Sequence, residues 1–223
     1  MTLENYILLF VVALLNLITS YLLMQDPGLN ELTKEQKPLI SKHFRGIYGL
    51  IFIAINLAIA VMFIYVYPTN SILFSLKRFC VLALLWPLAL IDWKTYRIPN
   101  RFVLTGLAFR VALVVAELFL DKEYLVGNLV SEVVAALALA VASFLCCICV
   151  KNSIGYGDIK LFLIMGLLLG LNGIWSAILM SLVVAFFAAI FLLLTKKKNK
   201  KDAVPFAPAI AIGTYLSVIL TGM

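Results

Sequence analysis

Long apolar runs alternate with short polar segments along the whole chain. A membrane-spanning helix needs about 20 apolar residues, with a range of about 17–25. Runs of that kind fall near residues 4–24, 47–67, 77–93, 102–120, 126–150, 174–195 and 203–221. A further run at 159–171 is short and contains Gly166 and Gly170, which predicts a thin, tilted or re-entrant helix packed within protein. The pattern predicts an all-α integral membrane protein, a polytopic bundle of about eight transmembrane helices. The first run opens with Glu4 and carries no Lys or Arg, so it lacks the positive segment of a secretory signal and reads as the first span.

Composition strengthens this picture. Hydrophobic residues make up 64% of the 223 and charged residues 13%, with mean hydropathy +1.09. A soluble domain has about 45–50% apolar and about 25% charged residues. No long polar stretch interrupts the runs, so one membrane domain over 1–223 is the simplest organisation. The net charge of +7 does not indicate a nucleic-acid partner, because the basic residues sit in short loops between spans.

Those basic residues are also one-sided. Loops after odd-numbered spans hold Lys34, Lys37, Lys42, Arg45, Lys94, Arg97, Arg101, Lys151, Lys160 and the five lysines between Lys196 and Lys201. The opposite loops hold Lys77, Arg78 and Lys122, while Arg110 lies within a span. Positive loops stay in the cytosol, so both termini are predicted outside, in a cell membrane.

With that topology, Asp92 ends the third span and Asp158 begins the sixth, both at the cytosolic side. Acids at membrane depth are costly and mark functional sites. Each also has a bland reading, as an interfacial acid or, for Asp158, as a partner of a helix N-terminus. Glu117 and Glu132 are expected toward the outer face in structural roles, with Arg110 able to pair with Glu132. His43, in a basic loop beside Lys42 and Arg45, reads as a solvated residue. Cys80, Cys146, Cys147 and Cys149 are expected to be buried, inert thiols, because no His or spaced second Cys pair offers a metal site.

Around Asp158 the sequence is GYGDIKL, residues 155–161. Glycines before an acid let an extended peptide approach its carboxylate closely, though a helix start with an acid near its cap explains them equally well. Around Asp92 it is LALIDWKTYRIPNRF, residues 88–102, in which Pro99 can start the next helix. An ordinary cytosolic turn accounts for Lys94, Arg97 and Arg101, but not for an acid ending the apolar run.

Together these segments resemble the type IV prepilin peptidase family, within the GxGD group of intramembrane aspartic proteases. In that family the first catalytic Asp lies seven residues before a Pro, as Asp92 does before Pro99 and Asn100. The second lies in GxGDxK, matched by Gly155, Gly157, Asp158 and Lys160. Val204, Pro205, Phe206, Ala207 and Pro208 are similar to a third family segment, which often has Gly at the position of Ala207. The resemblance implies an aspartic endopeptidase with Asp92 and Asp158 as its dyad. It would cleave the short basic leader of a prepilin or pseudopilin precursor at the cytosolic boundary. It implies N-terminal spans over 1–75 and a catalytic core over 76–223, with no cofactor. Lys160 is read as a contact for lipid phosphate or substrate. Longer members carry a cysteine-rich metal loop after the first span, whereas residues 25–46 contain no cysteine. The chain therefore resembles the short, peptidase-only branch, with no metal and no N-methyltransferase activity expected. Membrane lipid is the other expected partner, and nothing in the sequence sets an oligomeric state. Paired intramembrane acids also fit an ion-coupled transporter, and the motifs fit an inactive assembly subunit of the same fold.

Overall fold

A computed structural model describes residues 3–31, 38–149, 155–194 and 205–222. Among them the chain is helical throughout: α1 Leu3–Met24, α2 Pro27–Asn30, α3 Lys42–Val66, α4 Ile72–Thr95, α5 Asn100–Leu120, α6 Lys122–Cys149, α7 Tyr156–Leu194 and α8 Ala207–Thr221. Six of these are long and apolar enough to cross a membrane, and α8 is a shorter apolar helix. In a bilayer each backbone polar group must bond internally, which helices achieve without neighbours. The chain is a multi-pass helical membrane bundle.

α4 is its axis. Buried residues fill 83% of its most apolar stretch, against 33% or less in any other spanning helix. It packs against α1, α3, α5, α7 and α8. The outer helices expose Leu, Val, Ile and Phe, including Phe10, Leu50, Val111, Val130 and Phe186, as lipid contact requires. Helices cross closely where side chains are small. A Cβ on Gly213 would lie 2.3 Å from the Ser181 backbone, and one on Gly166 2.6 Å from that of Ala136.

α7 is the sixth and seventh predicted spans joined end to end. Its 39 residues would make a straight rod of about 58 Å, twice the bilayer's hydrocarbon thickness. The chain turns at Gly170, where φ is 66° and ψ −177°, a left-handed conformation that glycine adopts without strain. Counting its two arms separately gives eight apolar helical segments, against the expected eight or so spans and the six helices long enough to cross.

Several expectations are corrected. Lys77 and Arg78 are not loop residues: α4 begins five residues earlier than read, and both are buried within it. Arg45 is not in a soluble loop either. It is buried in α3 and donates to the carbonyls of Leu23 (3.3 Å) and Met24 (3.1 Å) and to Asn30 Oδ1 (2.6 Å). Span prediction ends a helix at its first charge, whereas these cations find partners inside the protein. Cys80 is buried as expected, but Cys146 and Cys149 are exposed and Cys147 partly so, because they face outward on α6. The short α2 was not predicted. His43 is exposed, as expected, but in the first turn of α3 rather than in a loop. Lys34, Lys37, Lys151, the five lysines of 196–201, Val204 and the 150, 195 and 203–204 ends of three predicted spans lie outside the described residues.

A polar seam locks α1, α3, α4 and α8 together. Asn16 Oδ1 accepts from Asn56 Nδ2 (2.6 Å) and Trp86 Nε1 (3.2 Å). Asn56 Oδ1 accepts from the Tyr215 hydroxyl (2.7 Å). This network fixes α8, whose first residues reach the candidate site.

Candidate active site

The ends of α1, α4, α5, α7 and α8 meet at one end of the bundle. There a cavity of about 590 Å³ is lined by Asp26, Gly28, the 95–101 turn, Gly155, Tyr156, Gly157 and Lys160, and by both Asp92 and Asp158. Two acids 66 positions apart in sequence thus line one cavity.

Asp92 lies in the last turn of α4 and is only 7% exposed. Its Oδ2 accepts the backbone N–H of Ala207, 3.0 Å away, at the first residue of α8. The segment Pro205–Phe206–Ala207–Pro208 therefore works through its backbone: it aims the start of α8 at Asp92, where the helix dipole favours a carboxylate. Pro208, in the first turn, costs no intrahelical hydrogen bond. Phe206 stacks edge-on against Phe162 of α7, fixing the segment's angle.

Asp158 is the third residue of α7. Its Oδ2 accepts the N–H of Gly155 (3.3 Å), the reach-back half of a capping box. This bond holds the carboxylate over the helix start, in the lining of the cavity. Gly157 is needed for space. A Cβ there would lie 3.0 Å from Ile98 Cβ, so α7 begins in close contact with the residue before Pro99.

The two motifs are joined a second time. Lys160 Nζ donates to Asn100 Oδ1 (2.9 Å), tying the first turn of α7 to the first residue of α5. Pro99 is the cap of α5, one residue before the helix, and its fixed φ sets the exit of the turn.

Sequence reasoning missed several cavity residues. Tyr96 ends α4 with φ 52°, a left-handed cap uncommon for a tyrosine, one turn after Asp92. Asp26 caps α2 by accepting Leu29 N–H (3.2 Å), and Arg97 pairs with Glu31 (3.1 Å), so the turn after α1 forms one wall. The Asp26-Pro27-Gly28 turn signal was legible, but nothing local pointed it at Asp92. Among the described residues, no group of three His, Cys, Asp or Glu side chains could hold a metal ion.

This arrangement defines a class: a multi-pass helical membrane protein with two acids on one end cavity. Residues 79–194, more than half of the chain, match the model of the type IV leader peptidase family. The chain belongs to that family. It is 30% identical over 138 residues to the prepilin leader peptidase/N-methyltransferase of Bacillus subtilis (strain 168), covering 62% of this chain and 53% of that protein. It is 32% identical over 69 residues to the protein of the same name from Aeromonas hydrophila, covering 31% of this chain and 24% of that one. The chain thus spans about half or less of the length of these curated relatives. No solved structure matches.

Proposed function

We propose that this chain is a membrane aspartic endopeptidase that removes the short basic leader of prepilin-like or pseudopilin precursors at the cytosolic face of the cell membrane. The observation that carries the reading is the convergence of Asp92, from α4, and Asp158, from α7, on one cavity within the segment that matches the family.

In this mechanism the two carboxyls share one proton, because like charges at short range do not both ionise cheaply. The ionised partner takes a proton from water, which attacks the scissile carbonyl. The protonated partner hydrogen-bonds the carbonyl oxygen as the tetrahedral intermediate forms, and then protonates the leaving amine. The pair titrates as a unit. The precursor's hydrophobic helix lies among the spans while the leader junction enters the cavity. The proposal covers leader cleavage, not methyl transfer.

The test is leader removal by the purified protein in proteoliposomes, with a precursor carrying a basic leader and a hydrophobic helix. Mass spectrometry should show one cut at the leader junction, and kcat/KM should be bell-shaped in pH. Acid adds a second proton and removes the base; alkali removes the shared proton and the acid. A rate flat from acid to alkali contradicts a one-proton dyad, and failure to cut any such precursor contradicts the reading.

A further inference from the structure

At the opposite end of the bundle, about 21 Å along α4 from Asp92, lies a buried charge cluster that peptide cleavage does not use. Lys77 bonds Glu117 (2.6 Å) and Glu132, and Arg110 bonds Glu117 (3.0 Å) and Glu132. Two cations and two carboxylates close a balanced ring. Arg78 stands beside it as a third cation, only 3% exposed, with no ion pair among the described residues.

The guanidinium of Arg78 lies over the Phe74 ring, 3.1 Å from its centroid, and donates to the Phe74 carbonyl (3.1 Å). Its Nε is buried without a hydrogen-bond partner. One buried positive charge is therefore left uncompensated where solvation is poor, a costly arrangement unless an anion completes it.

A second, independent feature points to the same place. Arg78 lines a cavity of about 80 Å³ with Asn128, Ser131, Gly170 and Asn172, and with Lys77 and Glu132 of the ring, whose carboxylate is already held by Lys77 and Arg110. This is where α7 breaks at Gly170 and restarts at Leu171, whose N–H donates to Ser131 Oγ (3.1 Å). The start of the second arm thus borders the cavity that Arg78 lines, through Gly170 and Asn172, with the Leu171 N–H bonded to Ser131. Half-helix N-termini in broken membrane helices are sites where anionic groups bind. Arg78 and Asn128 each lie six residues after the first residue of their helices, about 9 Å along the axis.

We propose that this cavity binds one phosphate group, with the Arg78 guanidinium and the α7 break as its recognition elements. A phosphodiester carries the single negative charge that the cluster lacks, and a planar guanidinium matches its oxygens. The group comes either from a lipid headgroup or from free phosphate.

Thermal unfolding of the purified full chain in uncharged detergent tests this. The probes are dioctanoyl phosphatidylglycerol and sodium phosphate at constant ionic strength, with dioctanoylglycerol as the phosphate-free control. Wild type should show a saturable rise in Tm with at least one phosphate probe and none with the control. A response to the lipid alone identifies a headgroup, and a response to inorganic phosphate identifies the free anion. R78Q should raise the half-saturating concentration tenfold or more. R78K keeps the charge facing the ring but loses the fork, and should raise it at least threefold. If R78Q does not fold, R78K and the wild-type titration decide. The proposal is overturned if neither phosphate probe shifts wild type, if the control works as well, or if the folded arginine variants respond like wild type.

Discussion

The carboxylate of Asp92 accepts the backbone N–H of Ala207, 115 residues away in sequence, at 3.0 Å. That one bond explains why a proline–phenylalanine segment after a long apolar arm belongs with the acids. The segment contributes a helix start rather than a side chain. Ala207→Pro removes the donor at the first helical position; proline suits that position but disfavours the α conformation that Phe206 holds before it, so the unfolding temperature is measured alongside. A hydrogen bond to a charged group contributes about 1.5–3 kcal/mol, so kcat/KM should fall about tenfold to a hundredfold. Ala207→Gly keeps the N–H and should remain within about threefold of wild type, since this range lies below one such bond. Cleavage rates of the two variants with comparable unfolding temperatures check this; a Pro variant as active as wild type removes Ala207 from the account.

Gly157 tests the contact between the two motifs. Its backbone is not left-handed, so the constraint is space: a Cβ would lie 3.0 Å from Ile98. Gly157→Val should push the start of α7, and Asp158 with it, away from the cavity. Misplacing a reacting group by about 1 Å costs about a hundredfold in rate. Cleavage should therefore fall steeply while the far helices keep their thermal stability. Equal activity in Gly157→Val would show that the close approach is incidental.

How much of this was legible in the sequence follows from the physics of each element. The spans were readable because apolar length is a strong local signal, and Asp92 and Asp158 because acids at span ends stand out against it. What span reading could not see was burial by partnership. Lys77 and Arg45 look like loop charges until their partners, Glu132 for one and the Leu23 and Met24 carbonyls for the other, are placed beside them. The Asn16–Asn56–Tyr215 seam was invisible for the same reason: each polar residue seems isolated in its own apolar run. The possible Arg110–Glu132 pair, raised from sequence, is present. The exposed Cys146 and Cys149 went the other way, because an apolar run says nothing about which face meets lipid.

The ion ring gives a stability prediction separate from catalysis. Glu132 balances Lys77 and Arg110 together with Glu117, and all four are buried. Removing one partner of a buried pair typically costs about 3–5 kcal/mol. Glu132→Gln should therefore lower the unfolding temperature clearly, whereas Glu31→Gln, which breaks an exposed pair with Arg97, should change stability by less than about 1 kcal/mol. Unfolding of both variants in the same detergent compares them; equal, small effects would mean that the ring contributes little.

The central claim is that Asp92 and Asp158 act as one catalytic unit. The most direct measurement is the leader-cleavage rate of wild type, Asp92→Asn, Asp158→Asn and the double variant in proteoliposomes, with folding checked by thermal unfolding. Groups that act as a unit are strongly non-additive. Each single variant should lose about a thousandfold or more, and the double variant should be no slower than either. A folded single variant that retains more than about a tenth of the wild-type rate, or a double variant that shows the product of the two losses, would contradict the dyad.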